Sequence, residues 1–221
     1  MVREAFAAYI KKLENEVMVM GEMVIAAVTD SVQALKTGDV IAAKRVIEGD
    51  SLINKKRLEI EEVCVNFIAL QQPVATDLRE IVAILYIITD LERIGDYAEG
   101  MGKIVIMLGK EPRATSLVGI PAMAEKAIKM LKGSLAAFIG RDIKTAEAIC
   151  KEDDEVDALY DQVNHKLLLC MIEDPETISR ITPLIWASHN LERMADRVTN
   201  ICERTVYLAT GSMREINVSR Y

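Results

Sequence analysis

Glu92 and Asp96 stand four residues apart beside Arg93, and Glu192 and Asp196 repeat the arrangement beside Arg193 a hundred positions later. Residues four apart on a helix share a face, so each pair stacks two carboxylates one turn apart. Carboxylates about 4 Å apart repel by about 4 kcal/mol at an effective dielectric of roughly 20. A shared proton, an arginine or a cation must relieve that repulsion. Oxygen-only donor sets suit Mg²⁺, Ca²⁺, Mn²⁺ or iron. Spacing alone leaves a plainer alternative open, an intrahelical ion pair from Arg93 to Asp96 and from Arg193 to Asp196.

Counting along two antiparallel hairpins enlarges each acidic pair. About the break at Gln72-Pro73, Asn54 falls level with Glu92 and Asp50 with Asp96. About Pro175, Asp157 falls level with Glu192 and Asp153 with Asp196. The candidate metal ligands are therefore Glu92, Asp96, Asp50 and Asn54, then Glu192, Asp196, Asp153 and Asp157. Asp153, Asp157, Asp161 and His165 form an i,i+4 ladder, and His189 precedes Glu192 by three. Those two histidines are the only ones, so a ferritin-like di-metal enzyme, which needs paired Glu-x-x-His motifs in one bundle, fits poorly. Trp186 reads as a core or interface residue. No Gly-rich phosphate loop, nucleophile elbow or Cys/His pairing occurs, and nothing prescribes a catalytic reaction.

The elements that must position these acids are long helices. Ala, Leu, Ile, Met, Glu and Lys dominate a chain with only five prolines. Phe6, Ile10, Leu13, Val17, Met20, Val24 and Ala27 draw one apolar stripe along a first helix that stops near Thr37-Gly38. Further helices are expected from Asp39 to Leu70, Val74 to Leu108, Pro121 to Phe138, Asp142 to Ile172, and onward to Gly211, with a linker at Lys110–Ser116. Ile84, Ile87, Leu91, Ile94, Ala98 and Met101 recur a hundred positions on as Leu184, Ala187, Leu191, Met194, Val198 and Ile201. Asp39, Ala43, Val46, Asp50 and Ile53 recur as Asp142, Ala146, Ile149, Asp153 and Val156. The expected fold is all-α: two tandem pseudo-symmetric three-helix bundles, 1–110 and 111–211, with a tail at 212–221.

A net charge of −7 without a basic run excludes a nucleic-acid footprint. Charges are expected to interrupt every apolar stretch before the roughly 18 residues of a membrane span. The N-terminal Arg3, Glu4, Lys11, Lys12 and Glu14 do not resemble a signal peptide, so a cytoplasmic protein without membrane insertion is expected. Cys64, Cys150, Cys170 and Cys202 lack zinc spacing and read as reduced core thiols.

Gln71-Gln72-Pro73-Val74-Ala75-Thr76-Asp77-Leu78-Arg79, Asp90 through Asp96, and His189 through Glu203 resemble the PhoU family, accessory regulators of the high-affinity phosphate transporter; the resemblance covers residues 3 to 211. It implies two three-helix bundles, metal ions or clusters (iron, manganese, magnesium or zinc) at E(D)xxxD motifs, and a non-enzymatic role. That role couples the phosphate ABC transporter, through its ATPase subunit, to a sensor histidine kinase, represses the starvation response and restrains uptake, often as a homodimer. Two positions depart from the family. Tyr97 and Arg197 stand where His is frequent after the motif Asp, and Asn54 stands where the second half has Asp157. A metal-free helical scaffold is the remaining alternative.

Overall fold

Local signals set the helix ends. Gly38 turns left-handed at φ 70 to end α1 (Val2–Thr37), and Asp39 then accepts from the Ile41 and Ala42 amides at 2.9 and 3.0 Å to start α2 (Val40–Gln71). The second half repeats the device. α4 (Ile120–Gly140) gives way to α5 (Ile143–Glu173), whose first turn is capped by Asp142 accepting from the Thr145 amide at 3.1 Å and its hydroxyl at 2.6 Å. The left-handed residue there is Arg141 rather than glycine, at φ 52.

A computed structural model of the chain describes residues 2–109, 117, 119–213 and 216. The expected linker at 110–116 lies outside the described residues, as does the expected tail apart from Ser212, Met213 and Ile216. α3 (Thr76–Leu108) begins two residues later than expected, because Ala75 takes φ 49 just after the Gln72-Pro73 corner. α6 (Ile178–Thr210) follows a 3-10 turn at Pro175–Thr177 and ends on Gly211 at φ 73. Pro183 sits inside α6, where its missing N–H leaves one rung of the helix open.

α3 and α6 lie antiparallel at the centre and form the most extensive helix pair. Their register is read from four cross-contacts. The Asn200 amide donates to Asp90 at 3.1 Å, Asn190 lies 3.0 Å from where Gly100 would carry a Cβ, Arg193 meets Tyr97, and the Arg204 guanidinium sits 4.2 Å over the Tyr86 ring. α2 packs on α1 and α3, α5 packs on α4 and α6, and α1 touches α4. The first-helix stripe Ile10, Leu13, Val17, Met20 and Val24 joins Ile84, Ile87, Leu91, Leu184, Ala187 and Leu191 in one core shared by both repeats.

Three expectations change. Phe6–Thr37 is long and apolar enough to cross a membrane by composition, because its charges are sparser than expected; its apolar stripe is nevertheless the bundle core. Cys64, Cys150 and Cys202 are buried thiols, but Cys170 is exposed at the outer end of α5. Trp186 is 50% exposed, which removes the core half of its expected core-or-interface reading.

Candidate metal centre

The first patch exists because α2 and α3 approach closely. A Cβ on Gly95 would meet Ile53 at 3.3 Å and Asp50 Oδ1 at 3.5 Å. Asp50 is thereby laid against the Glu92–Asp96 turn. Asn54 donates its amide to Asp50 Oδ2 at 2.7 Å, while Asp50 Oδ1 and Asn54 Oδ1 are buried with no hydrogen-bond partner. Burial, then the charges of Asp96, Glu99 and Glu92, raise the Asp50 carboxyl above its ordinary value against the pull of Asn54. Asp96 holds Arg93 at 3.1 Å, and Glu92 meets Arg93 at 3.7 Å and Arg57 at 3.9 Å.

The second patch is more deeply set. Glu192 is 8% exposed, its Oε2 has no hydrogen-bond donor, and its nearest basic neighbour is His189 Nδ1 at 3.6 Å. Burial first, then Asp196 and Asp157, push its carboxyl up to about 7 against the opposing Arg193. Burial also raises Asp157, helped by Asp196, Asp154 and Asp161. Asp196 is raised by burial despite Arg193, Arg197 and His189, and it holds Arg193 at 2.9 Å. Asp153 keeps the expected level, since Cys150 three residues before it meets the Thr199 carbonyl three residues after Asp196, but its side chain is buried at 3% exposure and its charge bears on the Cys202 thiol. The ladder through Asp161 to His165 runs outward to exposed positions.

The structure thus brings Asp50, Glu92 and Asp96 together with Asn54 adjacent, and brings Asp157, Glu192 and Asp196 together, with Asp153 buried one turn before Asp157 on α5. The ion-pair alternative is realised in both repeats, since each arginine holds its Asp. Among the described residues, no three His, Cys, Asp or Glu side chains converge tightly enough to enclose an ion. What the patches share with a hard-cation site is donor type: Asp50 Oδ1, Asn54 Oδ1 and Glu192 Oε2 are buried without a hydrogen-bond partner, and clustered carboxyls are raised by burial and by one another.

Sequence reasoning missed Glu99, whose charge reaches Asp50, although its spacing of seven from Glu92 and three from Asp96 placed it on the same face. It also missed the seam between repeats. Asp90 is 8% exposed and accepts from Asn200 at 3.1 Å and from Arg197 Nη1 at 3.5 Å. Nothing local in the sequence pairs residues so far apart.

Two duplicated three-helix repeats sharing one core, each with an acid–arginine turn facing its hairpin partner, define a class of tandem-repeat helical protein. The PhoU domain profile matches residues 17–105 and 120–205, and the chain belongs to the PhoU family. It is 37% identical over 218 residues to the phosphate-specific transport system accessory protein PhoU homolog of Clostridium acetobutylicum, covering 98% of this chain and 100% of that one. It is 36% identical to the Escherichia coli K12 phosphate-specific transport system accessory protein PhoU, over 93% of this chain and 86% of the relative. The crystal structure of PhoU from Pseudomonas aeruginosa superposes with a TM-score of 0.88 at 36% identity, covering 94% of this chain and all of that one.

Proposed function

We propose that this chain is a non-enzymatic accessory regulator of phosphate transport. It works in the cytoplasm as a homodimer, couples the ATPase subunit of a phosphate ABC transporter to a sensor histidine kinase, restrains uptake and represses the starvation response. Its two acidic patches hold iron, manganese, magnesium or zinc, with Asp50, Asn54, Glu92 and Asp96 as the ligand set of one patch and Asp157, Glu192 and Asp196, joined by Asp153 after adjustment, as that of the other. The observation that carries the regulatory reading is end-to-end similarity to proteins named as phosphate-specific transport accessories. A bound cation there would supply positive charge against the acids, and the protein's part is to hold oxygen donors on two packed helices.

Deleting the gene tests the regulatory reading. Phosphate-replete cells are expected to take up more phosphate and to express starvation genes, and the cloned gene is expected to reverse both. Unchanged uptake and expression would overturn it. The formed Arg93–Asp96 and Arg193–Asp196 pairs favour a second reading, a metal-free scaffold. Elemental analysis after incubation with Fe, Mn, Mg or Zn separates the two, since retained metal that disappears in an Asp96→Asn, Asp196→Asn double variant supports ligation.

A further inference from the structure

The two repeats turn from their first helix to their second in the same way but on different residues. Gly38 and Arg141 each take the left-handed conformation, at φ 70 and 52, and the Asp39 and Asp142 amides donate back to the Ala34 and Ala137 carbonyls at 3.1 and 2.9 Å. Glycine holds that conformation without strain, whereas an arginine there carries a steric cost. Its side chain offsets that cost. The guanidinium is seated by α4 itself, 5.1 Å over the Phe138 ring with Nη1 donating to the Phe138 carbonyl at 3.1 Å. Nη2 then reaches Glu14 at 2.6 Å and Glu80 at 3.2 Å.

α1 has 36 residues and α4 has 21, so with the two turns aligned the first fifteen residues of α1 have no helical counterpart in the second repeat. They lie on the α2–α3 corner. Ile10 and Leu13 are buried, the Tyr9 ring stacks on Phe67 at 4.2 Å, and the Tyr9 hydroxyl donates to the Val63 carbonyl at 3.1 Å. Clefts of about 860, 270 and 350 Å³ open along them. Turns packed in this way open at lower free energy than a fully enclosed helix. One attachment, Arg141, comes from the other repeat, and it lies between two acids. The side chains of Glu14 and Glu80 are 16% and 23% exposed, and Asp77 and Lys11 line the same cleft. Burial first, and then Glu80, raise the Glu14 carboxyl against the pull of Arg141 and Lys11. Without the guanidinium, Glu14 on α1 and Glu80 on α3 repel each other.

We propose that the first fifteen residues of α1 form a strap over the α2–α3 corner, latched shut by Arg141 of the second repeat. When Arg141 leaves, attraction turns to repulsion and the strap lifts from the α2 face of Ile60 and Phe67. Coupling between two sites is reciprocal, so whatever fills the opened face also frees the α4–α5 turn, and one repeat reports on the other. The latch uses neither acidic patch and does not rest on the metal reading.

Amide hydrogen exchange of the full chain, read by mass spectrometry, tests the latch. Arg141→Gly keeps the left-handed turn and removes the side chain alone. In this variant the exchange of residues 6–13 is expected to speed up at least about tenfold more than that of residues 20–35 or of α6, with helical circular dichroism unchanged. Adding Glu14→Gln removes the repulsion and is expected to bring residues 6–13 back to within roughly threefold of the parent. Equal exchange in parent and Arg141→Gly would overturn the proposal. Acceleration spread evenly over α1, α3 and α6 would do the same, since that is a general loss of stability, and so would a double variant that stays open.

Discussion

Glu192 is the residue on which the chemistry of the second patch can be read most directly. Its carboxyl stands near 7 in the folded chain against an ordinary value of 4.5. The folded state therefore holds a proton that the unfolded state releases between those values. In chelator-stripped protein, stability is full below about pH 4.5 and is lost as pH rises toward 7. Glu192→Gln is expected to flatten that slope and to stabilise the metal-free protein at pH 7.5 by about 1 kcal/mol, a figure discounted for partial solvent screening. Thermal melts at pH 5 and pH 7.5 check this; a parallel pH dependence in variant and parent would refute it. The shared level of Glu192 and Asp157 was legible from hairpin counting, because rise per residue is the same in both helices. The deeper seat of Asp153 was not, since level along an axis says nothing about rotation around it.

At the scale of the element, helix ends were legible wherever a residue acts on its own backbone, as Gly38, Asp39, Pro73 and Asp142 do. Positive φ at Ala75 and Arg141 was not, because neither residue type favours it. Arg141 closes α4 as a left-handed cap, the Asp142 amide donating back to the Ala137 carbonyl at 2.9 Å. Its guanidinium reaches Glu14 on α1 at 2.6 Å and Glu80 on α3 at 3.2 Å, so the α4–α5 turn of one repeat clamps two helices of the other. Arg141→Ala is expected to cost about 2 kcal/mol in urea unfolding, by leaving two half-buried acids facing each other. Adding Glu14→Gln should recover part of the loss. Helix-to-helix spacing makes a second prediction. A Cβ on Gly102 would press the Ala43 carbonyl at 3.0 Å, whereas one on Gly49 meets nothing within 4 Å. Alanine gains roughly 1 kcal/mol over glycine inside a helix. Gly49→Ala should therefore raise the urea midpoint, and Gly102→Ala should lower it because α2 must back away from α3.

The whole molecule is held at the α3–α6 seam, and there the sequence was least informative. A repeat announces that two halves are alike without saying which faces meet. Asp90 carried no role of its own in the sequence, yet it is buried and bonded to the other repeat. Asp90→Ala is expected to cost about 2 kcal/mol, since it strips the Asn200 and Arg197 contacts, and to speed amide exchange along the middle of α3 and α6. Asp90→Asn, which keeps the shape and removes a carboxylate whose charged form burial disfavours, should cost less. Equal exchange rates in parent and Asp90→Ala would show that the seam does not depend on this contact. Because the halves that meet at the seam share one polypeptide, a change at Tyr97 need not be matched at Arg197. Two separate identical subunits would receive every substitution twice, once on each side of their axis. A fused pair receives it once, so each half can drift toward its own task while the other keeps the old one.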